Sequence, residues 1–348
     1  MPPVCTASCN AKVVIYTGRV HWHVASTLPA CRRDTQVLAQ LMAAIATTVG
    51  GVFAASLLVR YRRGGRTQPA QLVWGVALVM FSIASLALFT GVVSGWTTVE
   101  FRVFYLFGGV LNVPWLALGS LIVNVRSLIV TRLTGAILGV VAVFVLLSTL
   151  RAEEPALWLP SAVLSVVWAL ILIVGHRQFV MRAATAVLVA YSVIATVVVA
   201  QATFVLPLPV TGMPEGAELF LPVVRGYAVG GNSVGAVVVI ISALIASAAM
   251  VWRRPDRAAD RLIFADARQG GFAEAIARWV FRGRTGEGSA RAHLVRGNLM
   301  IAGGVGLAAA GGVLSFLGDT VGHAVAFTVG VIVMYGGFIR TTRPLVPT

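Results

Sequence analysis

Charge is scarce in this chain. Only 11% of the 348 residues are Asp, Glu, Lys or Arg, less than half of the ~25% of a soluble domain. Lysine is nearly absent, since Lys12 is the only one. A retinal Schiff base inside an apolar span is excluded, because no amine is there to form it. Cysteine occurs only at Cys5, Cys9 and Cys31, ahead of every long apolar run, so thiol chemistry is kept out of the spans. No Asp, Glu, Lys or Arg lies in the middle of any apolar run. Intramembrane charges mark proton relays, ion paths and voltage sensors, so a proton-coupled pump is disfavoured. His176, His293 and His323 lie at run ends or in a connector, which leaves no mid-span pair to ligate a haem. There is no P-loop and no HExxH pair, and no G-x-S-x-G nucleophile elbow is expected. No cofactor, metal or catalytic residue is assigned.

What is there is apolar: 58% of the residues are hydrophobic. Long apolar runs cover 38–59, 72–94, 101–125, 133–150, 156–174, 183–206, 234–252, 299–317 and 324–338. Each approaches the ~20 residues that a spanning helix needs. The fold expected is all-α, a polytopic transmembrane bundle of about nine spans, seven plus a C-terminal hairpin. A Pro- and Gly-rich loop is expected over 207–232. No internal repeat supports an inverted-repeat transporter.

The chain carries 27 Lys and Arg against 12 Asp and Glu, a net charge of +15. The arginines alternate with the spans. Arg60, Arg62, Arg63 and Arg66 follow span one, and Arg126 and Arg132 follow span three. Arg177 and Arg182 follow span five, Arg253, Arg254, Arg257 and Arg261 follow span seven, and Arg340 and Arg343 follow span nine. The intervening loops mix signs. Basic cytoplasmic loops explain this without nucleic acid, and place the N-terminus outside and the C-terminus in the cytoplasm.

Span three holds the candidate polar site. At helical spacing Tyr105, Gly108, Asn112, Trp115 and Gly119 share one face. Pro114 cannot donate to the Val110 carbonyl, so one backbone acceptor is freed in mid-membrane and needs a partner. Asn112 reads either as a solute contact or as an interhelical hydrogen bond, which is worth about 0.6 kcal/mol on average. Tyr191 and Gln201 in span six are its candidate partners. The site proposed from the residues is thus Tyr105, Asn112, Pro114, Tyr191 and Gln201. In the final hairpin Gly304, Ala308 and Gly312 form one small-residue stripe, and Ala302, Gly306 and Ala310 form another. Both suit a tight hairpin or a dimer contact. Asp319 and His323 in its outer turn read as a solvated cap rather than a metal or pH-sensing pair. Glu100 and Arg102 read as interfacial anchors facing Arg151 or Glu154.

Two segments lie outside the bundle. Residues 1–35 are expected to be a disordered tail or a mis-assigned start, with the true start near Met42; no signal-peptide pattern is present. Cys5 and Cys9, near His21 and His23, lack a second pair at zinc-finger spacing. Residues 253–297 form a basic cytoplasmic connector. Within it Phe272, Ile276, Trp279 and Val280 fall on one helical arc, opposite Glu274, Arg278 and Arg282. Such a helix suits the headgroup layer, with Trp279, Arg282, Arg284, Arg291 and Arg296 contacting anionic lipid.

At YLFGGVLNVPWLALGS (105–120) and RGNLMIAGG (296–304) the chain resembles uncharacterised multi-pass membrane proteins of actinobacteria and related bacteria. The resemblance implies a bacterial cytoplasmic membrane and carries no activity. The organisation expected is a tail at 1–35, a seven-helix bundle at 36–252, the connector at 253–297, a hairpin at 298–340 and a cytoplasmic tail at 341–348. The function expected is non-enzymatic, through packing or contacts with lipid, a second copy or another membrane protein. The alternatives are a carrier for a small neutral or lipidic solute, and a sensor of an apolar ligand.

Overall fold

The computed structural model describes residues 11–16, 19–24, 29–64, 69–125, 127–208, 214, 216–252, 290–316 and 320–342. Among them nine helical segments are long and apolar enough to cross a membrane. The helices are α1 (Pro29–Arg63), α2 (Pro69–Ser94), α3 (Thr98–Phe104), α4 (Asn112–Asn124), α5 (Leu128–Arg151), α6 (Pro155–Val174), α7 (Arg177–Gln201), the short α8 (Gly216–Leu219), α9 (Pro222–Trp252), α10 (Ala290–Phe316) and α11 (Thr320–Thr342). A π-helical segment, Tyr105–Leu111, joins α3 to α4, so these three pieces form one span, Thr98–Asn124. The protein is a polytopic helical bundle.

Ahead of it, strands β1 (Ala11–Tyr16) and β2 (Arg19–Val24) pair antiparallel, with Ala11 opposite Val24 and Tyr16 opposite Arg19. Helix α1 already begins at Pro29. The tail expected to lack structure therefore holds a two-stranded ribbon and the first turns of α1.

Local chemistry sets the helix ends. Proline is the first residue of α1, α2, α6 and α9, where its missing N–H has no intrahelical acceptor to lose. Between α2 and α3, Gly95 takes φ 90°, a region open to glycine. That turn lays Trp96 over Gly91, where a Cβ would come within 2.5 Å of the indole. Thr97 then caps α3. Its hydroxyl accepts from the Glu100 N–H at 3.2 Å, and the Glu100 carboxylate accepts from the Thr97 N–H at 3.0 Å. Glu100 is thus a helix cap. Arg102 donates to the Ala202 carbonyl at 2.7 Å and lies over the Phe204 ring. The expected pairing of either with Arg151 or Glu154 is not formed.

The hairpin is part of the core. Helices α1, α2, α4, α9, α10 and α11 contact one another in a closed circuit, since α11 packs against α1 and α10 against α9. Phe338 of α11 packs at a tilt against Phe53 of α1 and Trp74 of α2, at 5.3 and 4.2 Å between ring centres. Helices α5, α6 and α7 lie on the far side, with α6 against α9. The third span is the most enclosed: 56% of its most apolar stretch is buried, against 28% to 44% in the other spans.

Candidate functional site

Pro114 shapes the centre of the bundle. Its ring excludes a normal approach to the carbonyl four residues back, and it brings no N–H. The helix answers by widening the turns just before it, which is the π-helical segment Tyr105–Leu111. Such segments insert a residue and rotate the rest of the helix. The single face expected for Tyr105, Gly108, Asn112, Trp115 and Gly119 is therefore divided. Gly108 and Gly119 abut Ala84 and Trp74 of α2. Trp115 donates to the Ser192 hydroxyl of α7 at 3.2 Å. Tyr105 packs on Phe220, 4.6 Å between ring centres.

The opened backbone is met by α9. Asn232 donates its amide to the Gly109 carbonyl at 2.8 Å, the acceptor five residues before Pro114 in the π-helical register, rather than to the Val110 carbonyl expected from an α-helical one. Gly231 lies so close that a Cβ there would be 2.8 Å from the Val110 carbonyl oxygen and 3.0 Å from the Pro114 ring. A Cβ on Gly235 would be 2.9 Å from the Val113 carbonyl. The next face of α9 repeats the arrangement on α6, which contains Pro160. A Cβ on Gly226 would lie 2.9 Å from the Ala156 carbonyl oxygen, the acceptor that Pro160 cannot serve, and one on Gly230 would lie 3.0 Å from the Ser161 nitrogen. So α9 is inserted between two proline-containing helices, of which only the third span is interrupted by a π-helical segment, and glycine permits both approaches.

Sequence reasoning missed this. The stretch GYAVGGN (226–232) was expected in a loop, and span seven was expected to begin at 234. It lies inside α9, which begins at Pro222. Clustered Gly and Asn resemble turn chemistry. The spacing of four from Gly226 to Gly230 and from Gly231 to Gly235 was the available signal. The same stretch spells G-x-S-x-G at Gly231, Ser233 and Gly235. It is not an elbow: it lies mid-helix and Ser233 is exposed.

The other expected residues divide as follows. Asn112 is buried, 4% exposed, and its Oδ1 has no hydrogen-bond partner. Tyr191 is buried and donates to the Tyr227 carbonyl at 2.6 Å, so it ties α7 to α9 rather than to Asn112. Gln201 is exposed at the end of α7 and lies outside the cluster. Trp279, Arg282 and Arg284, with the amphipathic connector helix, lie outside the described residues. Arg291 and Arg296 belong to α10, and Arg296 is half-buried. His323 bonds the Gly311 carbonyl through Nδ1 at 2.9 Å; Asp319 lies outside the described residues.

Beside Pro114 a cavity is lined by Trp168, Leu188, Tyr191, Gly231 and Val234 among others. It measures about 10 Å³, the threshold for a single water. Among the described residues no three His, Cys, Asp or Glu groups converge as metal ligands. The centre offers two carboxamides, a phenol and an opened backbone, a neutral hydrogen-bonding set. No protein-family model, curated protein or solved structure matches this chain.

Proposed function

We propose that this is a non-enzymatic integral protein of the bacterial cytoplasmic membrane that acts through helix packing and contacts with lipid or membrane-protein partners. The observation that carries the reading is the closure of the polar centre. Asn232 and the glycines of α9 press on the backbone that Pro114 opens, and the cavity beside Pro114 is about 10 Å³. A solute path needs more room than one water. The resemblance at 105–120 and 296–304 supports the bacterial setting. The alternation of basic loops supports an outside N-terminus and a cytoplasmic C-terminus. Arg32 and Arg33, carried into α1 at the end expected outside, are the exception to that alternation.

A carrier for a small neutral solute is the second reading, favoured by the interrupted third span. Discontinuous helices at mid-membrane are where carriers bind substrate. Cysteine accessibility separates the two. With Cys5, Cys9 and Cys31 changed to Ser, single cysteines at Ala117 and Val238 in proteoliposomes should resist a membrane-impermeant maleimide from both sides. Labelling from either side would favour the carrier.

A further inference from the structure

We propose that the outer face of the α10–α11 hairpin binds one anionic phospholipid, with Arg296 and Arg340 holding its phosphate and the apolar turns beyond them receiving an acyl chain. The site deepens the reading of function through lipid contacts, and rests on it. Its geometry follows from the seam between the two helices. A Cβ on Gly297 would meet Thr341 and Gly337, and one on Gly304 would meet Gly330 and Met334. One residue before Gly297 and one before Thr341 stand Arg296 and Arg340, whose charges act on each other. Met300 lies one turn beyond Arg296 and bridges to α11. Arg340 donates to its Sδ, and a Cβ on Gly336 would be 2.6 Å from its methyl carbon. Arg296, Met300, Gly336 and Arg340 therefore share one side of the seam. The other side carries Tyr335 and Phe338, which pack on Phe53 of α1, so this side faces away from α1.

Charge and shape select the occupant. A basic cytoplasmic end asks only for net charge. It does not ask two arginines to face each other across a seam, where like charges repel. Among the described residues the hydrogen-bond partner of the Arg340 guanidinium is a thioether, a weak acceptor for a group with five donors. A phosphate between the two guanidiniums removes the repulsion and takes charge-assisted bonds from both. Beyond the arginines the face is apolar. Leu307 and Val329 are exposed, and each lies eleven residues from its arginine, about three turns and so on the same line. Inorganic phosphate would use only the basic end of this face; a phospholipid uses both parts. A second copy docked by two-fold symmetry would bring its own two arginines to the same depth, and four cations would repel.

The test uses the full chain in bilayers, with Cys5, Cys9 and Cys31 changed to Ser and a single cysteine at Val329 carrying bimane. The quenchers are phosphatidylglycerol and phosphatidylcholine brominated in mid-chain, each diluted into plain phosphatidylcholine. Quenching at Val329 should need less of the glycerol lipid, by about fivefold per arginine, the equivalent of about 1 kcal/mol. A label at the exposed Val140 of α5 should show no such preference. Arg296→Gln and Arg340→Gln should each reduce the preference at Val329. Arg182→Gln removes the same charge from an exposed site on α7 and should leave it intact. Quenching by the choline lipid should be the same in every variant, which reports an intact face. Equal quenching by the two lipids at Val329, a preference that survives both Arg296→Gln and Arg340→Gln, or a label that neither lipid reaches overturns the proposal. The broader reading of function fails on a different result, maleimide labelling at Ala117 or Val238.

Discussion

The contact between α9 and α4 and the contact between α10 and α11 are both made by glycine, yet they differ in what the glycine faces. In the C-terminal hairpin the contact is reciprocal. A Cβ on Gly330 would lie 2.7 Å from the Gly304 carbonyl oxygen. One on Gly337 would lie 2.7 Å from that of Gly297, and one on Gly297 would lie 2.9 Å from that of Gly337. Both partners are ordinary α-helices with intact hydrogen bonding. In the centre the contact is one-sided. Gly231 and Gly235 approach a backbone that Pro114 has interrupted, and Asn232 supplies the missing donor. The hairpin therefore needs only small residues, and the centre needs small residues and an amide in the right order. Close approach is general packing; close approach joined to hydrogen-bond replacement is specific to one pairing of helices.

The largest expected effect comes from breaking the central contact. Gly231→Val forces α9 away from Val110 and Pro114 and strands the Gly109 carbonyl as well. Overpacking alone costs about 3 kcal/mol at its upper range, and the loss of the Asn232 bond adds to it. Little monodisperse protein should survive detergent extraction, read by size-exclusion chromatography. A normal yield with an unchanged melting temperature would show that α9 does not press on this turn.

Gly304→Val tests the hairpin side. The new side chain meets the Gly330 carbonyl and Met334, and about 2 kcal/mol is expected from overpacking. The α4–α9 pairing has its own contacts and should persist. A short bifunctional thiol crosslink between cysteines placed at Asn124 and Ser242, whose side chains touch across α4 and α9 at 3.3 Å, should still form in this variant, whereas Gly231→Val should weaken it. Loss of that crosslink in Gly304→Val would join the two regions into one unit and remove the distinction.

The same difference decides how far each region was legible in the sequence. Spacing of four along 302–312 announces a close-packed helix, because nothing nearby reads as a turn. Contact with α11 uses Gly304 but then Gly311, while Gly306 has no atom within 4 Å of a Cβ built on it. The stripe through Gly304 and Ala308 is therefore a packing face, whereas the other begins with the buried Ala302 and opens outward only at Gly306 and Ala310. In α9 the same spacing was hidden by the dipeptides Gly-Gly and Gly-Asn, which are strong turn signals in water. Inside a membrane a helix tolerates them, since neighbouring helices satisfy what they weaken. The donor needed by span three could be foreseen from Pro114, but its source, Asn232, lies 123 positions from Gly109, and no local rule pairs residues so distant. The π-helical turn was equally out of reach. Periodicity assumes a constant 3.6 residues per turn, and the rotation at Tyr105–Leu111 invalidates that assumption for every residue beyond it.

Within the central region two asparagines can be set against each other. Asn232→Leu removes the donor to the Gly109 carbonyl and should cost about 1 to 2 kcal/mol, the upper range for a hydrogen bond between membrane helices. Asn112→Leu removes an amide that holds no protein partner through Oδ1. Replacing such a group by an apolar one of similar shape is close to neutral, within about 0.5 kcal/mol. Melting temperatures in one detergent should rank wild type and Asn112→Leu together, above Asn232→Leu. The reverse order would place the supporting amide at Asn112 and return the site to its sequence-based form.

The smallest effect is expected at Gly306→Val, and it gives the sharpest control. Val adds two methyl groups and a branch to the same helix that Gly304→Val damages, at a position two residues away. Helix propensity favours the change, since Gly is the poorer helix former. With no atom of another described residue, its own helical turn aside, within 4 Å of the new Cβ, packing against the described neighbours is untouched. The net change should stay within about 0.5 kcal/mol, as for a surface substitution. Melting temperature measured in dilute detergent should match wild type. The informative comparison is the same protein in bilayers at high protein density, with crosslinking of neighbouring copies as the readout. Equal crosslinking in Gly306→Val and wild type means that this side of α10 faces lipid. A selective loss of crosslinking, with melting unchanged, would assign the outward stripe to a contact between copies, and would show that close approach through glycine is used twice on α10, once within the chain and once between chains.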